Sequence, residues 1–135
     1  MLKTRGISLL WLPVFLLLMA FRQAPLVDPA PIDVPSKLEV TQVEKAIKQA
    51  LIKREWMVVS DAPGKIVASY DRREFTSRIG ITYDSKHIQI NYITSTGLKY
   101  EVTRSGEKLI HKNYAAWIQN LVTDISNYLT MAGIS

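Results

Sequence analysis

Between Trp56 and Ile93 apolar and polar residues alternate, while on either side of that stretch the apolar residues recur at helical spacing. A period of 2 places every second side chain on one face of a strand, and a period of 3.6 lines one stripe of a helix. The switch from one to the other and back restricts the chain to a helix, an antiparallel meander and a second helix. Each element then has one apolar side, and the only way to bury all three is to lay both helices on the same face of the sheet. The expected fold class is α+β: a four-stranded antiparallel meander, with a short fifth strand, and an N-terminal and a C-terminal helix packed on one face.

The boundaries follow from local chemistry. Thr41-Gln-Val-Glu44 has the form of a capping box. Behind it Val43, Ala46, Ile47, Ala50 and Leu51 fall at helical spacing, which predicts a helix over 42–55. Trp56–Ser60 reads as a strand and Asp61-Ala-Pro-Gly64 as a turn. Lys65–Asp71 follows with Ile66, Ala68 and Tyr70 on one face, then Thr76–Tyr83 with Ile79, Ile81 and Tyr83. After the turn at Asp84-Ser-Lys86, His87–Ile93 turns Ile88, Ile90 and Tyr92 the same way. Ser69, Asp71, Arg78, Thr82, His87, Gln89 and Asn91 are left for the polar face. Leu98, Tyr100 and Val102 alternate over a short fifth strand. Tyr114, Trp117, Ile118, Leu121, Val122, Ile125 and Leu129 mark a second helix over 113–131, with Gly133 beyond it as a stop.

The first third of the chain has a different character. Lys3 and Arg5 precede an apolar run from Ile7 to Phe21, with small residues at its end and just beyond, Ala20 and Ala24. That order is the order of an export signal. This run of fifteen residues, apolar but for Ser8, is short for a spanning helix, which needs ~20. Leu18 and Pro25 nevertheless make poor surroundings for a cut at Ala20 or Ala24, so a cleaved signal peptide and an uncleaved signal anchor both stand. Pro25, Pro29, Pro31 and Pro35 withhold backbone donors and favour extended chain, which predicts a tether. The division is a signal peptide or anchor over 1–24, a Pro-rich tether over 25–37, and one domain over 38–135. The expected location is the periplasm, free or held at the inner membrane through the leader.

Charge and composition narrow the chemistry. The chain carries 17 basic and 12 acidic residues, but Lys3, Arg5 and Arg22 precede the first carboxylate, Asp28. The rest is close to balance, so no nucleic-acid footprint is expected. With no cysteine there is no disulfide, thiolate metal site, catalytic thiol or lipid-bearing residue. The two histidines, His87 and His111, are too few for a His-rich metal site. Gly64-Lys65 lacks the spacing of a phosphate loop, since Val59 and Ile66 stand where Gly and Ser or Thr are needed. No cofactor and no catalytic residue is expected. His111 suits local hydrogen bonding at the start of the second helix. Trp56, Tyr114 and Trp117 lie on or beside apolar stripes and read as core.

What is left is a charged segment, Asp71-Arg72-Arg73-Glu74 with Arg78, which is either a solvated edge or an anion- or glycan-contacting patch. Together with the polar sheet face it nominates Arg72, Arg73, Arg78, His87 and Gln89 as partner-binding residues.

The ordered run Arg54-x-Trp56, Pro63-Gly64-x-Ile66-x-Ala68, Ile81-x-Tyr83, Ile88-x-Ile90-x-Tyr92, Leu98-x-Tyr100 and Ile110-His111-x-x-Tyr114-x-x-Trp117-Ile-x-Asn120-Leu121 resembles a family of small envelope lipoproteins of Gram-negative bacteria. The resemblance spans about residues 40–129 and implies an exported helix–meander–helix domain, without implying an activity or any functional residue. Members of that family end the leader in a box whose cysteine receives lipid; here the stretch is Leu18-Met19-Ala20-Phe21, with Phe in the cysteine position. The expected function is a non-catalytic envelope module with a protein or glycan partner. A periplasmic hydrolase and a module for duplex RNA are the alternatives.

Overall fold

The computed structural model describes residues 22–134, so the expected leader lies largely outside the described residues. The fold is α+β, with helices α1 (Val40–Lys53) and α2 (Lys112–Ile134) and strands in two antiparallel sheets. The larger sheet joins β2 (Ile32–Asp33), β3 (Met57–Ala62), β4 (Lys65–Asp71), β5 (Thr76–Tyr83) and β6 (His87–Thr96) in the order β2-β6-β5-β4-β3. The smaller joins β1 (Gln23–Pro25), β7 (Glu101–Val102) and β8 (Lys108–His111) in the order β1-β8-β7.

The meander follows its turn chemistry. Pro63 and Gly64 link β3 to β4, with Gly64 at φ +80° as the second turn residue demands. At the β5–β6 turn the Asp84 carboxylate accepts from the backbone N–H groups of Lys86 (2.7 Å) and His87 (2.8 Å). Those two donors hold its pKa below the ordinary carboxylate range. Ile66, Ala68, Ile79, Ile81, Ile88 and Ile90 are buried against Val43, Ile47 and Leu51 of α1 and Ile118, Leu121, Ile125 and Leu129 of α2 in one continuous core. Both helices therefore cover one sheet face, as their stripes require. Neither of these helices is long and apolar enough to cross a membrane.

Four local expectations are corrected, the first being the fifth strand: of the stretch from Leu98 to Val102 only Glu101–Val102 is a strand, β7, and it lies in the smaller sheet instead of the meander. Helix α1 starts before Thr41: its N-cap is Glu39, whose N–H donates to Oε1 of Gln42 at 2.9 Å. A Glu39–Gln42 box thus stands in for Thr41–Glu44, and it frees Glu44 to pair with Lys48, which also meets Asp61 of β3. Gly133 does not stop α2, which continues through it to Ile134. Ser69 is buried on the outer face, where the register sets it between Met57 and Arg78 and its hydroxyl donates to Asp71 at 2.6 Å.

The largest correction concerns the Pro-rich segment. Residues 23–34 are built into the fold: β1 pairs with β8, Leu26 N–H donates to Lys108 O, Asp28 accepts from the Tyr92 N–H, and β2 pairs with β6. The prolines explain where these strands sit, because a residue without an N–H belongs on an edge, and β1 and β2 are both edge strands. The segment straps one sheet to the other.

Candidate functional site

Helix α1 ends in a Schellman motif: Glu55 N–H donates to Ile52 O (3.0 Å) and Trp56 N–H to Leu51 O (2.9 Å). The motif needs a left-handed residue after the C-cap, and that residue is Glu55, at φ +65°. The sharp exit drives Trp56 into the core, 4% exposed, where its ring stacks on Tyr70 of β4 at 5.3 Å between centroids. Tyr70 in turn meets the edge of Trp117 on α2 (5.2 Å), and Phe75 from the β4–β5 turn stacks on Trp117 at 4.9 Å. Such offset and edge-on pairs add roughly 0.5–1.5 kcal/mol each beyond area burial. Trp56 is core, as expected from its stripe, and so is Tyr114; Tyr70, Phe75 and Trp117 are only half-buried and form the visible part of the stack.

Charges frame these rings. The Arg72 guanidinium lies 4.2 Å above the Tyr70 ring and pairs with Glu55 at 2.7 Å. Deeper in, Asp124 of α2 is 3% exposed and accepts from Arg54 (2.6 Å) and Lys53 (3.3 Å). These cations hold the Asp124 carboxyl below the usual carboxylate range, against the opposing effect of burial. The result is a notch of about 260 Å³ between the end of α1, β4 and α2, with Asn120 on its wall. Pockets that enclose a drug-sized ligand run ~300–1,000 Å³, so this one suits a single ring or side chain projecting from something larger.

Glu55 bears on whether the notch is more than packing. A non-glycine residue in the left-handed region costs of order 1 kcal/mol, and glycine would be free of that cost. The return is one exposed ion pair with Arg72, a kind of contact worth ~0–1 kcal/mol. Glu55→Gly is therefore expected to raise stability by up to about 1 kcal/mol, read as a higher urea midpoint. A fall in the midpoint would show that the Glu55–Arg72 pair outweighs the backbone strain.

The five nominated residues do not form one site. Arg72 contacts Tyr70 and Glu55, two residues that line the notch, and Arg73 is exposed beside it in the same turn. Arg78 is exposed on the outer sheet face, opposite Thr94. His87 sits at the other end of β6, roughly 23 Å along the strand from Thr94, near Asp33 at 3.5 Å. Gln89 donates to Pro29 O at 3.0 Å beneath the strap. His111 Nδ1 accepts from Asn113 N–H at 3.1 Å, the local bond expected at the start of α2. Arg78→Ala should leave stability within about half a kcal/mol of wild type by urea denaturation, as for an exposed side chain without partners to strand.

Sequence reasoning missed Asp124 and the convergence of Tyr70, Phe75 and Trp117. A signal for the first was present: Asp124 lies three residues after Leu121, on the apolar stripe, where an ionised group needs a partner. Among the described residues no cluster of His, Asp and Glu is suited to hold a metal. No protein-family model matches the sequence, and a search of curated proteins finds no significant match.

Proposed function

We propose that this is an exported cell-envelope protein whose folded domain is a non-catalytic binding module, and that it takes one ring or side chain of an envelope glycan or protein partner into the notch beside Trp117. One observation carries the proposal. The half-buried rings of Tyr70 and Trp117 line a small notch together with the Lys53 cation, the Asn120 amide and the strained Glu55, and Arg72 lies over Tyr70 and pairs with Glu55. Aromatic faces beside planar polar groups suit both pyranose rings and protein side chains. Neither histidine lines the notch, its lining carboxylate Glu55 is paired with Arg72, and the buried Asp124 carboxylate behind it is committed to Arg54 and Lys53. The hydrolase and duplex-RNA readings draw no support from this geometry.

The test is a photo-crosslinking residue at Asn120 of the full chain in intact cells, compared with the same residue at Arg78 on the outer face. A crosslinked envelope component captured from position 120, and diminished by Trp117→Ala, is the expected result. Capture from position 78 with none from 120 would move the contact to the outer face and overturn the notch.

A further inference from the structure

The strap places the start of the described chain against the smaller sheet with no spacer. Lys112 N–H donates to Arg22 O at 3.0 Å, Gln23 pairs with His111, and the Gln23 side-chain amide donates to Lys99 O at 3.0 Å. His111 N–H donates to Leu98 O at 2.8 Å, which closes the corner. Arg22, Lys99 and Lys112 are thus fixed at adjoining backbone positions. All three are exposed, and none takes part in an ion pair among the described residues. Lys99 has φ +55°, a conformation that favours glycine or asparagine, so a cation is held where the backbone does not prefer one. Tyr100 beside it is 40% exposed and stacked on Tyr92 at 5.2 Å, an amphipathic ring of the kind found at membrane interfaces. The apolar stretch Ile7–Phe21 ends at the residue before Arg22.

We infer that this corner, bearing Arg22, Lys99, Lys112 and Tyr100, is a docking face for the anionic phospholipid headgroups of the membrane that the leader enters. The inference rests on the export reading proposed above. Two features select a lipid surface over another occupant. The charge is cationic and unpaired, and the adjoining chain is an apolar segment that would bring the corner to headgroup depth with no slack. A linker of a dozen residues would let the domain stand clear, whereas one residue between Phe21 and β1 does not. Each basic residue near an anionic surface strengthens its attachment about fivefold, so three act together on the order of 100-fold.

The experiment uses the full chain with vesicles of phosphatidylcholine alone, or with about a third phosphatidylglycerol. Flotation reports attachment by the leader, and the rates of lysine acylation report which surface the lipid covers. Lys99 and Lys112 are expected to react about tenfold more slowly on the anionic vesicles than on neutral ones. Lys86, which immediately precedes β6 and so lies at the end of that strand away from Lys99, should not change. The difference should vanish in ~0.5 M salt, where screening is nearly complete over a few ångströms. Arg22→Gln should reduce the protection of Lys99 several-fold. Flotation with equal acylation on both vesicles would overturn this inference and leave membrane attachment intact. Failure to float with either would overturn both. Protection on neutral vesicles by an added polyglutamate peptide, with none from phosphatidylglycerol, would assign the corner to a protein partner and overturn it as well.

Discussion

Gly97→Ala should cost about 3 kcal/mol of stability, while the same change at Gly106 should cost only about 1. Both glycines are left-handed, at φ +73° and +86°, so both substitutions meet the same backbone penalty of order 1 kcal/mol. They differ in what surrounds the new methyl group. At Gly106 it meets nothing within 4 Å. At Gly97 it would overlap the Glu74 carbonyl oxygen and come to 3.1 Å from Phe75 Cα, so the backbone must move. Overpacking of that kind adds ~1–3 kcal/mol. With a urea dependence of ~1–2 kcal/mol per molar for a domain of this size, the midpoint should fall by about 2 M for Gly97→Ala. Equal losses at the two positions would show that the β4–β5 turn yields freely and that Gly97 does not hold it. The contact matters for the notch because the turn that Gly97 admits carries Phe75, which stacks on Trp117. A smaller shift that left the fold standing should still alter the emission of Trp117.

The meander was legible because its signals are local. Lys65–Asp71 and Thr76–Tyr83 were bounded correctly by alternation and by Pro-Gly and Asp-Ser turn chemistry, and the stripes of both helices matched the buried residues almost throughout. What was not legible depended on partners far along the chain. Gln23–Pro25 carries no alternation to speak of and becomes a strand only because Leu109–His111 offers it an edge. Lys108-Leu-Ile-His111 has the same difficulty from the other side, since four residues ahead of a helix read as a loop until a neighbour is supplied. The strap's prolines pointed to extended structure, which is right, and extended structure alone does not distinguish a free tether from an edge strand. The notch was illegible for a related reason. Arg72 was singled out for its charge and Trp117 for its stripe, but only tertiary packing brings a guanidinium and an indole against the same ring, Tyr70. Trp117 occupies an apolar helical position and is still half-exposed, because the stripe of α2 is wider than the surface that covers it.

The second large effect is expected at the base of the notch, where Arg54→Ala should destabilise by roughly 2–4 kcal/mol at pH 7. Breaking a buried ion pair typically costs ~3–5 kcal/mol because one charge is stranded. The figure is lowered here because Lys53, 3.3 Å away and half-exposed, still faces Asp124. Asp124→Asn should cost less, about 1–2 kcal/mol, since it removes the buried charge and leaves Arg54, whose side chain is 38% exposed, to be hydrated. The pH dependence separates charge from packing. In the wild type Asp124 has a lowered pKa, so the folded state binds fewer protons than the unfolded one near pH 4. Its stabilising contribution is complete above the unfolded value of ~3.9 and is lost as the pH falls through the lower folded value. In Arg54→Ala burial outweighs the remaining cation, the pKa moves up, and the stranded carboxylate is relieved by protonation as the pH falls. The difference between the two proteins should therefore be largest at pH 7 and shrink at pH 4. Asp84 is also held low by its turn, but it is common to both proteins and cancels in the comparison. Urea denaturation of both proteins at the two pH values measures this directly. A difference that stayed the same at pH 4 would mean that Arg54 acts through the packing of its aliphatic stem, and that the Asp124 charge does not hold the two helices together beneath the notch.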